Sequence, residues 1–324
     1  MRETWIQLQR AETLLFGAAV MPQMNRYRKI LAGFKLEANL AGWLIRLVNG
    51  FNPNHITAQD YLQRYPFSSL DAIRDILNQL TDRGHLQSKS KGVYMATTLG
   101  RTKIRDWHEK IGELMQEADL GDITPGQVHT LLKYDRRIIE SIKTATRPHG
   151  YTIFNHRLQG LHPSYDPPRL WHHWQLVWTL LAASEDEEEY VRKARNIPPL
   201  EWFLRRQLWF IDRRPWRARA RTLKALVQRA TGYSPIRDAK NACTKAINNL
   251  KDKEWVQETD GGFRLTKDGL AVCDKDECLI DGHLLSSWPD FSNEELLELS
   301  RILTLLNQRF ETIITKALQK TQRG

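Results

Sequence analysis

Apolar residues recur at helical spacing along most of the chain, and two short stretches break the rule. Within residues 3–49, Leu40, Trp43, Leu44 and Leu47 line one face of a helix that should end near Gly50 and Pro53. Asn54 to Thr57 then opens a short helix through Tyr65, and Pro66 stops it. Ser68 and Ser69 suit the cap of the next helix, whose buried stripe is Leu70, Ile73, Leu77 and Leu80. The period then shortens, predicting a β-hairpin over Leu86 to Met95, before helical spacing returns from about Thr98 to Glu117. Thr124-Pro125-Gly126-Gln127 reads as cap, first-turn proline and capping box for a further helix.

The same order returns about 170 residues later. Leu77-Asn78-Gln79-Leu80-Thr81-Asp82-Arg83-Gly84-His85-Leu86-Gln87 is matched by Ile247-Asn248-Asn249-Leu250-Lys251-Asp252-Lys253-Glu254-Trp255-Val256-Gln257. Tyr94-Met95-Ala96-Thr97-Thr98-Leu99-Gly100 is matched by Phe263-Arg264-Leu265-Thr266-Lys267-Asp268-Gly269. The short helix Thr57 to Arg64 has its counterpart in Thr222 to Arg229, and Ser234-Pro235 should cap a second helix carrying Ala239, Ala242, Ala246 and Leu250. A helix from about Lys267 to His283 follows, then a capping box at Ser292-Asn293-Glu294-Glu295 opening a helix with Leu296, Leu299, Ile302, Leu303, Leu306 and Phe310 on one side. Two copies of one unit indicate an internal duplication rather than a solenoid. Between them, residues 147–169 carry four Pro and two Gly without periodicity and read as a linker. The expected division is therefore 1–146, 147–169 and 170–324.

Composition narrows the class. With 324 residues, 41% hydrophobic content and 11 Trp, the chain can fill two cores. No apolar run approaches the roughly 18 residues of a membrane span, and Glu3 and Glu12 interrupt any leader, so a cytoplasmic protein is expected. Cys243, Cys273 and Cys278 lack CxxC spacing and read as plain thiols. The net charge of +10 is concentrated: Val191 to Asp260 holds 17 Lys and Arg against 7 Asp and Glu, a surplus of 10. Its densest part, Arg213, Arg214, Arg217, Arg219 and Arg221 around Trp216, is of the kind that attracts polyanions. The acidic block Glu185 to Glu189 just upstream fits the first turn of a helix, where the dipole favours negative charge.

Helix-turn-helix, hairpin, an aromatic residue followed by two residues, Thr, two residues and Gly, and then paired long helices: this order resembles the winged helix-turn-helix of MarR-type bacterial regulators over roughly residues 37–146 and 200–318. The resemblance implies a mainly α fold with two small β-hairpin wings, as tandem winged helix-turn-helix domains joined by a Pro-containing linker. It also implies double-stranded DNA as partner, transcription regulation as function, and a small apolar effector held near the helical arms. Most members carry one unit per subunit and dimerise, so two units in one chain suggest a monomeric pseudo-dimer, with a homodimer as the other possibility.

A helix of this kind fits the major groove, and its hairpin lies against the backbone or the adjacent minor groove. The polar side of the first helix offers Ser69, Arg74 and Asn78, and its hairpin Lys89 and Lys91. The second helix offers Arg237, Lys240, Asn241, Thr244 and Lys245, while its hairpin residues Glu258 and Asp260 have the wrong sign for phosphate. Two units facing the same way would read two half-sites about one helical turn apart. A plasmid-type replication initiator and a protein-docking scaffold are the rival readings. Trp171, Trp174 and Trp178 stand at core spacing, and an effector pocket would draw on Phe16, Trp43, Trp171, Trp174, Trp202 and Trp209. His172 and His173 point to different faces and cannot form an i, i+4 metal pair, and no phosphate loop, nucleophile elbow or HExxH appears, so no catalytic residue, metal or cofactor is expected.

Overall fold

The computed structural model describes residues 1–118, 120–147, 150–159, 170–214 and 221–322. It is mainly helical, with two small antiparallel sheets. The chain opens with α1 (Arg2–Val20), α2 (Met24–Ala32) and α3 (Ala38–Gly50). A first repeated unit continues through β1 (Ile56–Thr57), α4 (Ala58–Arg64), α5 (Leu70–Asp82), β2 (Leu86–Ser90), β3 (Val93–Ala96), α6 (Thr98–Gln116) and α7 (Pro125–Thr144). Next come α8 (Thr152–Gln159) and α9 (Leu170–Ala194). The second unit runs through α10 (Pro199–Arg213), α11 (Leu223–Tyr233), α12 (Ala239–Asp252), β4 (Val256–Thr259), β5 (Gly262–Leu265), α13 (Lys267–Leu285) and α14 (Asn293–Gln322).

The two units agree down to individual hydrogen bonds. Thr97 caps α6: its Oγ1 accepts from the Gly100 N–H at 3.1 Å and donates to the Gly84 carbonyl at 2.6 Å. Thr266 does the same for α13, accepting from Gly269 at 3.0 Å and donating to Glu254 at 2.6 Å. The last position of the motif must be Gly because a Cβ there would lie 2.2 Å from the His85 carbonyl oxygen in the first unit and 2.1 Å from that of Trp255 in the second. Both hairpins form as expected, Leu86 pairing with Ala96 and Val256 with Leu265. A strand that periodicity could not reveal, the two-residue β1, adds to the first ribbon with Ile56 opposite Tyr94. In the second unit the Arg221 carbonyl takes that place, accepting from the Phe263 N–H at 2.9 Å.

Burial follows a different division from the duplication. One core gathers α1, α3, α5, α6 and α7 around α9, with Trp5, Leu8, Leu44, Leu77, Ile111, Ile138 and Val177 all buried, and Leu299, Leu306 and Phe310 of α14 complete it. The smaller second core joins Leu204, Leu208, Leu226, Cys243, Ile247, Leu250 and Cys273 from α10 to α13. α14 lies along α1, where the Gln7 side-chain oxygen accepts from Ser300 at 3.4 Å and Thr304 at 3.2 Å, and Arg10 pairs with Glu311. The expected aromatic stripe of Trp171 and Trp174 is core, and Phe16 stacks on Trp174. No described helix is long and apolar enough to cross a membrane.

Three local expectations are corrected. The acidic block does not begin a helix: residues 185–189 lie in the second half of α9, where Glu185 to Glu188 meet partners distant in the chain and Glu189 pairs within the helix. The segment read as linker holds α8, whose first N–H groups at Ile153 and Phe154 donate to the buried Asp186 carboxylate at 3.0 and 2.9 Å, while residues 160–169 lie outside the described residues. Ser234 does not cap α12. It ends α11, and α12 begins five residues further on behind Asp238, which holds φ at 48°. The capping boxes at Thr124 and Ser292 do form.

Candidate nucleic-acid interface

α5 and α12 each bury one stripe and expose the other side. Ile73, Leu77 and Leu80 of α5, and Cys243, Ile247 and Leu250 of α12, face the cores, while Arg74, Asn78, Lys240, Asn241 and Lys245 are exposed. The helix turns preceding α5 and α12 meet. The Ser69 N–H donates to the Pro235 carbonyl at 2.8 Å, and the Ser69 Oγ accepts from the Arg237 N–H at 2.9 Å. Ser68 and Ser234 share a hydrogen bond between their hydroxyls. The Tyr233 carbonyl accepts from Arg46 at 2.8 Å and from the Tyr61 hydroxyl at 2.9 Å. Phe67 packs on Phe203, ring centroids 4.9 Å apart, and Phe203 on Tyr233 at 5.6 Å. On the exposed side Arg237, which stands in the turn before α12 and not on the helix as expected, reaches Asp75 of α5 at 3.1 Å.

The ten candidate residues fall into three groups. Lys89, Lys91, Lys240 and Lys245 are exposed and have no ion-pair partner among the described residues, and Arg74 lies 3.8 Å from Asp71. Asn78 accepts from the Tyr94 hydroxyl at 3.0 Å, Asn241 donates to Asp238 at 2.6 Å, and Thr244 donates to the Lys240 carbonyl at 2.8 Å. Ser69 and Arg237 belong to the junction between the units. Sequence reasoning missed that junction's other members, Arg46, Tyr61, Phe67, Phe203 and Tyr233. The available signal was the pair of large aromatics, Phe67 and Tyr233, standing beside the Ser and Pro of the two turns.

The basic segment is mostly neutralised from within. Arg205, fully buried, pairs with Asp276 at 2.7 Å, and Arg195 reaches the same carboxylate at 3.0 Å. Arg206 pairs with Glu188 and, at 2.5 Å, with Glu277. Burial alone would lower the pKa of the Arg206 guanidinium, but the two glutamates outweigh it and raise it. Arg213 holds Asp274 at 2.6 Å, Arg214 lies buried near Glu277 and Asp281, and Arg221 lies 3.7 Å from Asp212. The attraction for polyanions expected of this cluster is thereby reduced, since a buried, paired charge projects little field. Trp216, Arg217 and Arg219 lie outside the described residues.

The acidic block contributes Glu188 to this pairing, and its other members are engaged elsewhere or within α9. Glu185 meets the buried Arg64 at 2.7 Å, Glu187 accepts from the Tyr151 hydroxyl at 3.0 Å, and Glu189 pairs with Arg192 at 2.6 Å. Asp186 is pushed up to about 7 by burial, against the pull of the two α8 N–H groups.

Beneath the junction lies a cavity of about 120 Å³ lined by residues of both units, among them Arg64, Tyr65, Phe67, Trp202, Phe203 and Tyr233. Of the aromatics expected around an effector, Trp202 alone borders it; Trp171, Trp174 and Trp209 fill cores, and Trp43 packs on Tyr61. His173 is buried with its Nδ1 2.7 Å from Asp135, and no cluster of potential metal ligands occurs among the described residues. Burial pushes the Cys243 thiol up to about 11 and that of Cys273 to about 12, away from the reactive thiolate. Neither family models, curated proteins nor solved structures gave a match to this chain.

Proposed function

We propose that the chain binds double-stranded DNA through the exposed faces of α5 and α12, as a MarR-like transcriptional regulator built from two winged helix-turn-helix units. The observation that carries this reading is the repeated presentation of a helix with one solvent-facing polar side beside its own β-ribbon. Phosphate affinity then rests on Lys89, Lys91, Lys240 and Lys245, with Arg74 as a candidate for guanine. The four lysines set the salt dependence: a log–log slope of binding against salt of about −4, at roughly −0.9 per phosphate.

Lys240→Glu should weaken binding to every duplex and make the slope shallower by about 1, whereas Arg74→Ala should alter preference at one base position. Titration of labelled duplexes over a salt series checks both, and equal affinity of the Lys240→Glu protein and the parent at low salt removes the assignment. One observation favours a second reading, a docking scaffold for protein partners: the internal pairing of Arg195, Arg205, Arg206 and Arg213 leaves the second unit less basic than its sequence suggests. Retention of a stable protein complex by a chain that binds no duplex would establish it.

A further inference from the structure

Resting on the DNA-binding reading, we propose that α5 and α12 form one composite reader of a single uninterrupted duplex segment of at most about one helical turn, instead of two readers on separated half-sites.

The argument is one of reach. Paired helix-turn-helix elements that occupy successive major grooves on one face of DNA need their recognition helices about 34–36 Å apart, centre to centre. Here the leading ends of the two helices are hydrogen-bonded together, Ser69 to Pro235 at 2.8 Å and Arg237 to Ser69 at 2.9 Å. At 1.5 Å per residue, Ser69 is about 10 Å from the middle of α5, and Arg237 about 15 Å from the middle of α12. The hydrogen bond keeps the Cα atoms of Ser69 and Arg237 within about 7 Å. Even with every link stretched along one line, the centres are about 32 Å apart. The actual path is bent: the Arg237 guanidinium contacts Asp75, six residues beyond Ser69 and in the second turn of α5. The turn that leads into α12 therefore lies back against the start of α5, and the centres fall short of the spacing that two grooves require.

Nor is the junction a loose contact that DNA would part at little cost. It uses four backbone groups, Ser69 N–H, Arg237 N–H, the Pro235 carbonyl and the Tyr233 carbonyl, together with the Phe67, Phe203 and Tyr233 rings. With the junction closed, the exposed residues follow one order across the surface: Lys89 and Lys91 on the first ribbon, Asn78 and Arg74 on α5, the Arg237–Asp75 bridge, then Lys240, Asn241 and Lys245 on α12. Each ribbon follows the end of its helix remote from the junction, so neither ribbon is used up in joining the units.

Selection of the intact protein against random-sequence duplexes three helical turns long, followed by insertion of five or ten base pairs at the centre of the enriched motif, tests this. The expected result is one motif block no longer than about ten base pairs, with either insertion weakening binding at least about tenfold. A second measurement fixes the junction: Ser68→Cys with Ser234→Cys, in a Cys278→Ser background that removes the exposed native thiol, should bind the selected duplex within about twofold whether oxidised or reduced. Two blocks one turn apart, or loss of binding on oxidation, would overturn the composite reader while leaving DNA binding intact. A parent protein that binds no duplex even at low salt would instead bring down the functional reading, and the composite reader with it.

Discussion

Gly100 and Gly269 hold the tightest backbone contacts of the two units. Each passes so close to the carbonyl of the residue just before its ribbon, His85 or Trp255, that a Cβ would lie 2.2 or 2.1 Å from the oxygen. A backbone atom cannot swing aside as a side chain can, so Gly100→Ala and Gly269→Ala should each cost at least about 2 kcal/mol, read as a lowered urea midpoint. The matching turn positions offer the reverse experiment. Gly84 takes φ +75 at the end of α5, but its counterpart Glu254 adopts φ 59 with a side chain that disfavours it. Glu254→Gly should therefore stabilise the protein by about 0.5–1 kcal/mol. This much of the motif was legible in the sequence as a repeated Thr-x-x-Gly; the closeness of the carbonyl was not, because it arises between residues 14 or 15 apart. Asp186 is legible only in three dimensions. Its folded pKa of about 7 lies above the ordinary 3.8, so between those values the folded state holds a proton that the unfolded state has lost. Stability contributed at this site thus falls as pH rises from about 4 to about 7. Asp186→Asn cannot titrate, and it supplies one acceptor oxygen where the α8 N–H groups use two. It should be the less stable protein at pH 5, with its deficit shrinking by on the order of 3 kcal/mol by pH 8. A deficit that stays constant across that range in paired urea titrations would rule out a raised Asp186 pKa.

The elements divide by how local their causes are. α5 was readable because Ile73, Leu77 and Leu80 keep strict helical spacing, and both ribbons because a turn with Gly separates short runs. α7 and α14 were readable at their starts because a capping box is complete within four residues. Where the stabilising partner is distant, the pattern gave no sign. α8 is eight residues with no apolar period of its own, and it is fixed by Asp186, thirty-two and thirty-three residues further along, and by Arg157, which donates to the Asn49 carbonyl at 2.5 Å and lies over the Trp178 ring. The acidic block misled for a related reason. A run of five acids near an apolar stretch looks like a helix start when its partners are unknown, yet Arg64 comes from α4, Arg206 from α10 and Arg192 from the last turn of α9 itself. The candidate interface shares this split: the exposed lysines were legible as the polar side of a helix, while the junction joining the two helices depends on a meeting of turns that no spacing encodes.

At the scale of the whole molecule, duplication and packing follow different boundaries, and that difference can be tested. The first core is closed by the last helix of the chain: Leu299, Ile302, Leu303, Leu306 and Phe310 of α14 are all essentially buried, and α14 lies along α1. Burying five such side chains is worth roughly 1.5–3 kcal/mol each, a sum on the order of 10 kcal/mol before ordering costs. That is comparable with the about 5–15 kcal/mol by which a domain is stable at all. Removal of residues 293–324 should therefore unfold or loosen the first core, although no residue of its repeated unit is touched. The second core takes no side chain from α14 and should keep its structure. Hydrogen exchange separates the two: on truncation, amides of α1 and α9 should lose protection by orders of magnitude, while those of α12 and the β4–β5 ribbon should change little. Equal loss in both regions would mean that the paired turns and the α9 to α13 ion pairs couple the cores into one cooperative unit, so that the two helix and hairpin units cannot unfold separately.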